Sequence, residues 1–280
     1  MNICRFNDGR IGLVRGTTVH DITRFVDGHD GEPALAAAKT LASVSAQDLA
    51  RVPAQPLEAV RLLSPIRAPS KILAAPDNYR SHADEMHADA AISYGRVPMP
   101  LDQAGLFLKA ISSLVGPSAG IARRFPDRRT DYEVELVAII GRDAADIAPQ
   151  NALDVVAGYA IGLDITVRGP EDRSFRKSID SYTVVGPWMT DAGSIPEPQD
   201  LTMSLRLNGE TRQQAPLSDM VTDVRGLIAY ASRFSTLKPG DMIFTGTPAG
   251  VGPIKGGDVI EAEISGIGQM KVAVREYSAR

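Results

Sequence analysis

The chain has 280 residues, 44% hydrophobic and 23% charged, with 30 Lys and Arg against 34 Asp and Glu for a formal net charge of −4. That composition excludes a disordered or fibrous chain and supplies enough apolar material for a large core. It gives no global attraction to nucleic acid or to an anionic membrane. Cys4 is the only cysteine, so no intrachain disulfide can form, and a reducing, cytoplasmic setting is the expectation.

The first ten residues carry Asn2, Arg5, Asn7 and Asp8 where a secretory segment would need an apolar run. No apolar stretch reaches the length of a membrane span. Residues 3–14 alternate around Asn7-Asp8-Gly9, which predicts a hairpin, and residues 18–22 can add a third strand. Residues 33–44 are alanine-rich and predict a helix. Pro53 and Pro56 read as a linker, which puts the end of a small N-terminal α/β domain (hairpin plus helix) at residue 60, ahead of a larger unit over residues 61–280. Residues 71–75 read as a short strand and 79–91 as a polar helix. Residues 93–103 hold Gly95, Pro98 and Pro100 and read as a loop, part of a lid over residues 79–105. Strand signals then recur at 106–108, 133–140, 155–165, 201–207, 242–245, 259–264 and 270–274, and only residues 220–234 keep a helical period. With 25 Gly and 19 Pro, a mainly β chain of the α/β class is expected.

The strongest chemical signal is Asp131-Tyr-Glu-Val-Glu-Leu-Val-Ala-Ile-Ile140. On a strand, residues two apart face the same way, so Glu133 and Glu135 project to one side with Cα atoms roughly 6.5–7 Å apart. Two carboxylates at the start of a buried strand repel unless something cationic sits between them; on an exposed edge they would be solvated. The 155–165 strand puts Gly158, Ala160, Gly162 and Asp164 on one face. Small residues leading to one acid suit a strand that something approaches closely. Glu133, Glu135 and Asp164, all oxygen donors, would favour a hard ion such as Mg2+ or Mn2+.

His82 and Glu85 stand three apart on a helix and can touch. A carboxylate that orients a histidine is a common setting for a general base; scattered charge on an exposed helix is the plainer alternative. Residues 240–252 are glycine-rich but fit neither nucleotide-binding pattern. They read as a turn between strands, or as a backbone cradle for a substrate carboxylate assisted by Thr245 or Thr247. The basic run 123–129 has no aromatic series and reads as a solvated loop.

Seven segments, taken in order, resemble the fumarylacetoacetate hydrolase family. They are Asn78-Tyr79 with His82 and Glu85; Tyr132-Glu133-x-Glu135-Leu136; Gly158-Tyr159 with Asp164; Arg176-Lys177-Ser178; Gly186-Pro187-Trp188; Asn208-Gly209-Glu210; and Thr245-Gly246-Thr247-Pro248 with Gly250-Val251-Gly252. The likeness runs from residue 71 to the C-terminus. It implies a mixed β-roll, or distorted β-barrel, a homodimer, and one divalent cation per subunit, Mg2+ or Mn2+. It assigns Glu133, Glu135 and Asp164 as metal ligands and His82, on a mobile lid, as the general base that activates water. Glu85 would orient His82, and Lys177 would contact substrate or water on the ion. Tyr79, Arg168 and Thr247 would face the substrate.

The reaction implied by the resemblance is hydrolysis of a C–C bond in a 2,4-dioxo acid, an acylpyruvate or fumarylacetoacetate-like compound, in aromatic or sugar-acid catabolism. The products would be a pyruvate-type acid and a carboxylic acid. An oxaloacetate-type decarboxylase, or a 2-oxo-alkenoate hydratase or isomerase, would draw on the same enolate. A dioxo-acid binding protein without turnover would need only the ion. Compared with many members, the segment between Glu85 and Leu106 looks longer and that between Asp164 and Lys177 shorter.

Overall fold

The computed structural model describes residues 1–26, 31–41 and 43–278. Its largest element is a twelve-stranded sheet. The main path uses β1 (Asn2–Phe6), β2 (Arg10–Arg15), β3 (Thr18–Asp21), β4 (Ala54–Pro56), β5 (Ile72–Ala74), β6 (Phe107–Lys109), β7 (Val134–Ile140), β8 (Val156–Asp164), β9 (Thr183–Asp191) and β10 (Met242–Phe244). Across the sheet they run β4-β3-β2-β1-β9-β8-β7-β10-β5-β6. A five-stranded sheet, which includes Thr202–Leu207, Val259–Ile264 and Gly268–Glu276, and a three-stranded one complete the body. Among the described residues no sheet closes on itself, and the architecture is the mainly β, mixed-sheet one expected.

β7 and β8 lie at the centre because their sequences allow burial on both faces. Every residue of β7 is buried, and all of β8 except Ala157. Leu136, Ala138, Ile161 and Leu163 feed the larger apolar core. Val137, Ile139 and Ala160 feed a second core with Ile72, Ala74 and Phe244. Each Val, Leu or Ile buried this way contributes about 1.5–3 kcal/mol. Gly162 stands opposite Glu135 in the β7–β8 ladder. A Cβ there would meet Phe244 Cε1 at 2.5 Å and Val137 Cγ2 at 2.6 Å, so the small residues of β8 do admit a close approach.

The N-terminal hairpin turns through Asn7 (φ 49°) and Gly9 (φ 95°). β1 pairs with β2 on one side and β9 on the other, which joins the hairpin to the central sheet. Four expectations change. The helix expected over 33–44 spans Pro33–Thr40, and residue 42 lies outside the described residues. The proline pair is no linker: β4 pairs with β3 at the sheet edge, where Pro56 removes no ladder bond on the open side. The loop at 93–103 is broken by a helical turn, Leu101–Ala104, and the 79–105 segment also holds helices Arg80–Ala88 and Ala90–Ser93. The helix over 220–234 begins at Val224, because Asp223 Oδ1 accepts from the Gly226 amide at 2.7 Å and caps it.

The largest omission is β9. Gly186-Pro187-Trp188 enters the sequence reading only as a family segment, yet a shift in the β8–β9 register between Tyr159 and Ile161 lets a strand run through it and continue to Asp191. No helix among the described residues is long and apolar enough to cross a membrane.

Candidate metal and substrate site

Glu133 stands just ahead of β7, Glu135 is its second residue, and Asp164 ends β8. The antiparallel register pairs Val134 with Leu163 and Glu135 with Gly162, and the Asp164 amide donates to the Glu133 carbonyl at 2.9 Å. Strand pairing alone therefore sets the three acids side by side at one end of the sheet. One oxygen from each carboxylate lies within 4.8 Å of the others. None of the three residues is more than 3% exposed.

Buried carboxylates need cations. Lys177 Nζ donates to Glu133 Oε2 at 2.5 Å and to Asp164 Oδ2 at 2.6 Å. Lys109, from β6, donates to Asp164 Oδ1 and to the Lys177 carbonyl. Arg168 donates from Nη2 to Glu133 Oε1 at 2.9 Å and from Nε to Asp131 Oδ2 at 2.8 Å. Burial alone would favour the neutral acid at Glu133, but Lys177 and Arg168 outweigh it and hold the carboxyl far below the usual range. Burial likewise pushes the Lys109 ammonium down, against the pull of Asp164.

Glu135 is treated differently. The Gly246 amide donates to its Oε2 at 2.6 Å, and no ion pair reaches it among the described residues. Burial, reinforced by the Asp164 charge, pushes its carboxyl well above the usual range. The donor set fits a hard dication: three carboxylates without nitrogen or sulfur, one of them lacking a cation.

His82 lies on the Arg80–Ala88 helix, and its Nδ1 is 3.0 Å from Glu85 Oε2. The Gly250 amide holds the other Glu85 oxygen at 2.9 Å. With Nδ1 turned to the carboxylate, Nε2 is left as the proton acceptor. His82 lines one cavity with Glu133, Glu135, Arg168, Lys177 and Thr247. Thr247 Oγ1 accepts from Gln213 Nε2 at 2.8 Å, and Gln213 Oε1 takes the Val134 amide at 3.0 Å, which ties the 240–252 loop to the acid strand. Tyr79 stands apart from this group. It packs in the larger core, its hydroxyl has no hydrogen-bond partner, and it is not among the cavity-lining side chains. Burial and the Glu135 charge keep its phenol protonated.

The glycine-rich run proves to be a cradle for the protein's own carboxylates, since Gly246 holds Glu135 and Gly250 holds Glu85. Gly246 (φ 96°) could not carry a side chain, because a Cβ would meet Asn78 Cβ at 2.7 Å. Thr245 Oγ1 is spent on the Leu136 carbonyl. The basic run is not wholly solvated either: Arg129 Nε donates to the buried Asp131 at 2.8 Å. Sequence reasoning missed Asp131, Lys109, Gln213, Arg96, Arg173 and Arg176. Asp131 continues the period-two series of Glu133 and Glu135, which is a readable signal. A lone lysine after Phe107 and Leu108 carries none.

A carboxylate-held histidine that shares a cavity with Glu133 and Glu135, which Asp164 joins in one buried acid cluster, defines a class of enzyme that handles oxyanions with a hard metal ion and a general base. Comparison with known proteins narrows the class. The profile of the fumarylacetoacetate (FAA) hydrolase C-terminal family matches residues 71–275, and the chain belongs to that family. It is 46% identical over 292 residues to the maleylpyruvate hydrolase of Aquipseudomonas alcaligenes, covering 98% of this chain and 99% of that protein. The structure of maleylpyruvate hydrolase from Sphingobium sp. SYK-6 in complex with manganese(II) and pyruvate matches with a TM-score of 0.85 and 36% identity, over 99% of this chain and all 100% of that one. A bifunctional isomerase/decarboxylase of 4-hydroxyphenylacetate degradation from Salmonella dublin is 33% identical over 211 residues, 74% of this chain and 47% of that protein.

Proposed function

We propose that the protein is a divalent-metal-dependent hydrolase that cleaves the C–C bond of an acylpyruvate, maleylpyruvate being the first substrate to test. The observation that carries this reading is the meeting of Glu133, Glu135 and Asp164 in one acid cluster beside the His82–Glu85 pair, in a chain close in sequence to a maleylpyruvate hydrolase. The three acids would hold Mn2+ or Mg2+. Such an ion supplies Lewis-acid stabilisation for the negative charge that develops on the 2-oxo acid.

The remaining steps belong to the chain. His82 takes a proton from water at Nε2, while Glu85 fixes the ring and stabilises the imidazolium. The water oxygen bonds to the distal carbonyl carbon. The C–C bond to the pyruvate methylene then breaks, its electron pair leaves in the pyruvate enolate, and protonation of that carbon gives pyruvate and a carboxylic acid. The Lys177 ammonium adds positive charge where the enolate forms. Arg168 steadies Glu133, and Thr247 faces the substrate from the opposite loop.

One observation favours a second reading. Lys177 already bridges Glu133 and Asp164, so the acids could form an ion-pair core that binds no metal. That arrangement gives Glu135 no side-chain cation and only the Gly246 amide on Oε2, a place that a divalent ion would fill, which supports the metal site instead.

The test offers the purified protein maleylpyruvate, acetylpyruvate and oxaloacetate with Mn2+ or Mg2+, following loss of enol absorbance and release of pyruvate. The expected result is acylpyruvate cleavage with one pyruvate per substrate, abolished by EDTA. Turnover of oxaloacetate alone would replace hydrolysis with decarboxylation. A homodimer belongs to the same proposal, supported by Leu108, Ile111, Phe125 and Phe175, which are exposed apolar side chains along one groove. Sedimentation equilibrium tests it, and a monomer at micromolar concentration would refute it. The single buried Cys4 supports a cytoplasmic setting.

A further inference from the structure

Arg96, Arg168, Arg173, Arg176 and Lys177 line the cavity, against Asp77, Glu133 and Glu135. Most of this positive charge is spent. Lys177 and Arg168 serve Glu133, Asp164 and Asp131, and Arg173 Nη2 donates to Asp77 Oδ2 at 2.9 Å. Arg96 and Arg176 reach no carboxylate among the described residues. Arg96, from the segment between two lid helices, donates to the carbonyls of Gly169 and Glu171 at 2.7 Å each. Arg176 makes one long contact, Nη1 to the Val167 carbonyl at 3.4 Å.

Arg176 is 5% exposed, and its Nε is buried without a partner. A buried, unpaired guanidinium is costly, and fixed neighbours of like charge raise the cost. Burial, with Arg96 and Arg168 nearby, pushes its pKa down to about 10, so it stays charged at neutral pH. A cation on the acid cluster would only enlarge the positive surplus. The guanidinium fork is matched in shape to a carboxylate, which it can bind through two parallel hydrogen bonds.

The 2-oxo acid end of an acylpyruvate already carries one carboxylate, and it belongs with the acid cluster and its ion. Arg176 lines the same cavity as His82, Glu133, Glu135 and Lys177, so it borders the chamber of the acid cluster rather than a remote surface. We infer that Arg176, assisted by Arg96, is the receptor for a second carboxylate on the acyl side of the substrate. It selects acylpyruvates whose acyl group is itself an acid over neutral ones. This assignment rests on the acylpyruvate reading above and gives that reading its specificity determinant.

The test compares wild type, Arg176→Met and Arg176→Lys with Mn2+ on maleylpyruvate and on acetylpyruvate, and measures the thermal shift produced by maleate. Arg176→Met is expected to lower kcat/KM for maleylpyruvate about 10–100-fold, the worth of hydrogen bonds to a charged group, while acetylpyruvate changes less than about threefold. Arg176→Lys recovers part of the loss. Maleate raises the Tm of wild type and not that of Arg176→Met. Equal losses on both substrates, or no loss on either, overturn the assignment and leave the acylpyruvate reading standing. If wild type cleaves neither substrate but maleate still stabilises it through Arg176, the carboxylate receptor stands and the reaction falls. Should Arg176→Met fail to fold, Arg96→Met carries the same comparison, with a smaller loss confined to maleylpyruvate.

Discussion

The row of side chains on one face of β7 and β8 has two ends, and they meet burial in opposite ways. At one end Val137, Ile139 and Ala160 pack with Phe244, Ile72 and Ala74. At the other, on the same face by strand alternation, stand Glu133, Glu135 and Asp164. The apolar end needs only neighbours of suitable volume, because its driving force has no direction. The acidic end needs cations delivered from elsewhere in the chain: Lys109 from β6, and Arg168 and Lys177 from the segment after β8. Its accounts are still open at Glu135. A fold can close an apolar end by itself, whereas an acidic end left one cation short is ready to take a ligand.

Four variants probe that contrast, from the largest effect down. His82→Ala should lower kcat about 10²–10⁴-fold, the usual worth of a general base, with bound metal unchanged; an unaltered kcat would end the role given to it. Lys177→Met takes away the cation that Glu133 and Asp164 share. Without added metal, urea unfolding should show a loss of about 3–5 kcal/mol, which Mn2+ partly restores. A loss smaller than that of the next variant would mean the acids do not depend on the lysine. Ile139→Val, at the apolar end, should cost about 0.5–1.5 kcal/mol and leave Mn2+ affinity untouched. Altered affinity there would show that the two ends are coupled.

The smallest effect is alkaline. Burial pushes the Cys4 thiol up from 9.0 to about 12. Between those values the unfolded chain has lost a proton that the folded chain keeps, so stability falls as pH rises through that window. At pH 10 the thiol accounts for about 1.4 kcal/mol of this loss, and Cys4→Ala should flatten the slope of unfolding free energy against pH by up to one proton. An unchanged slope would place the thiol in contact with water.

How much of this the sequence shows follows from the same physics. The hairpin, β7 and β8 are readable because period-two alternation and continuous apolar runs are local signals. β9 is hidden by Gly186-Pro187, which gives no strand signal until β8 supplies a shifted partner. Glu210–Pro216 is hidden because its exposed face is polar and only Gln213 and Ala215 turn inward. The acids of the site are visible as Glu133-x-Glu135 and through the family likeness. Their meeting depends on the Val134–Leu163 register, a property of two strands together. The cations are visible only in part: Arg168 and Lys177 come through the family likeness, whereas Lys109, Arg96 and Arg176 have no role readable in the sequence and resemble surface residues until tertiary packing buries or encloses them.

Titration with Mn2+, read from the EPR signal of the free ion, probes the acidic end most directly. Wild type should remove one ion per chain from the free signal, and Glu135→Gln should leave it free. If wild type leaves all the Mn2+ in solution, then Lys177 suffices for Glu133 and Asp164, and the metal chemistry assigned to these three acids is wrong.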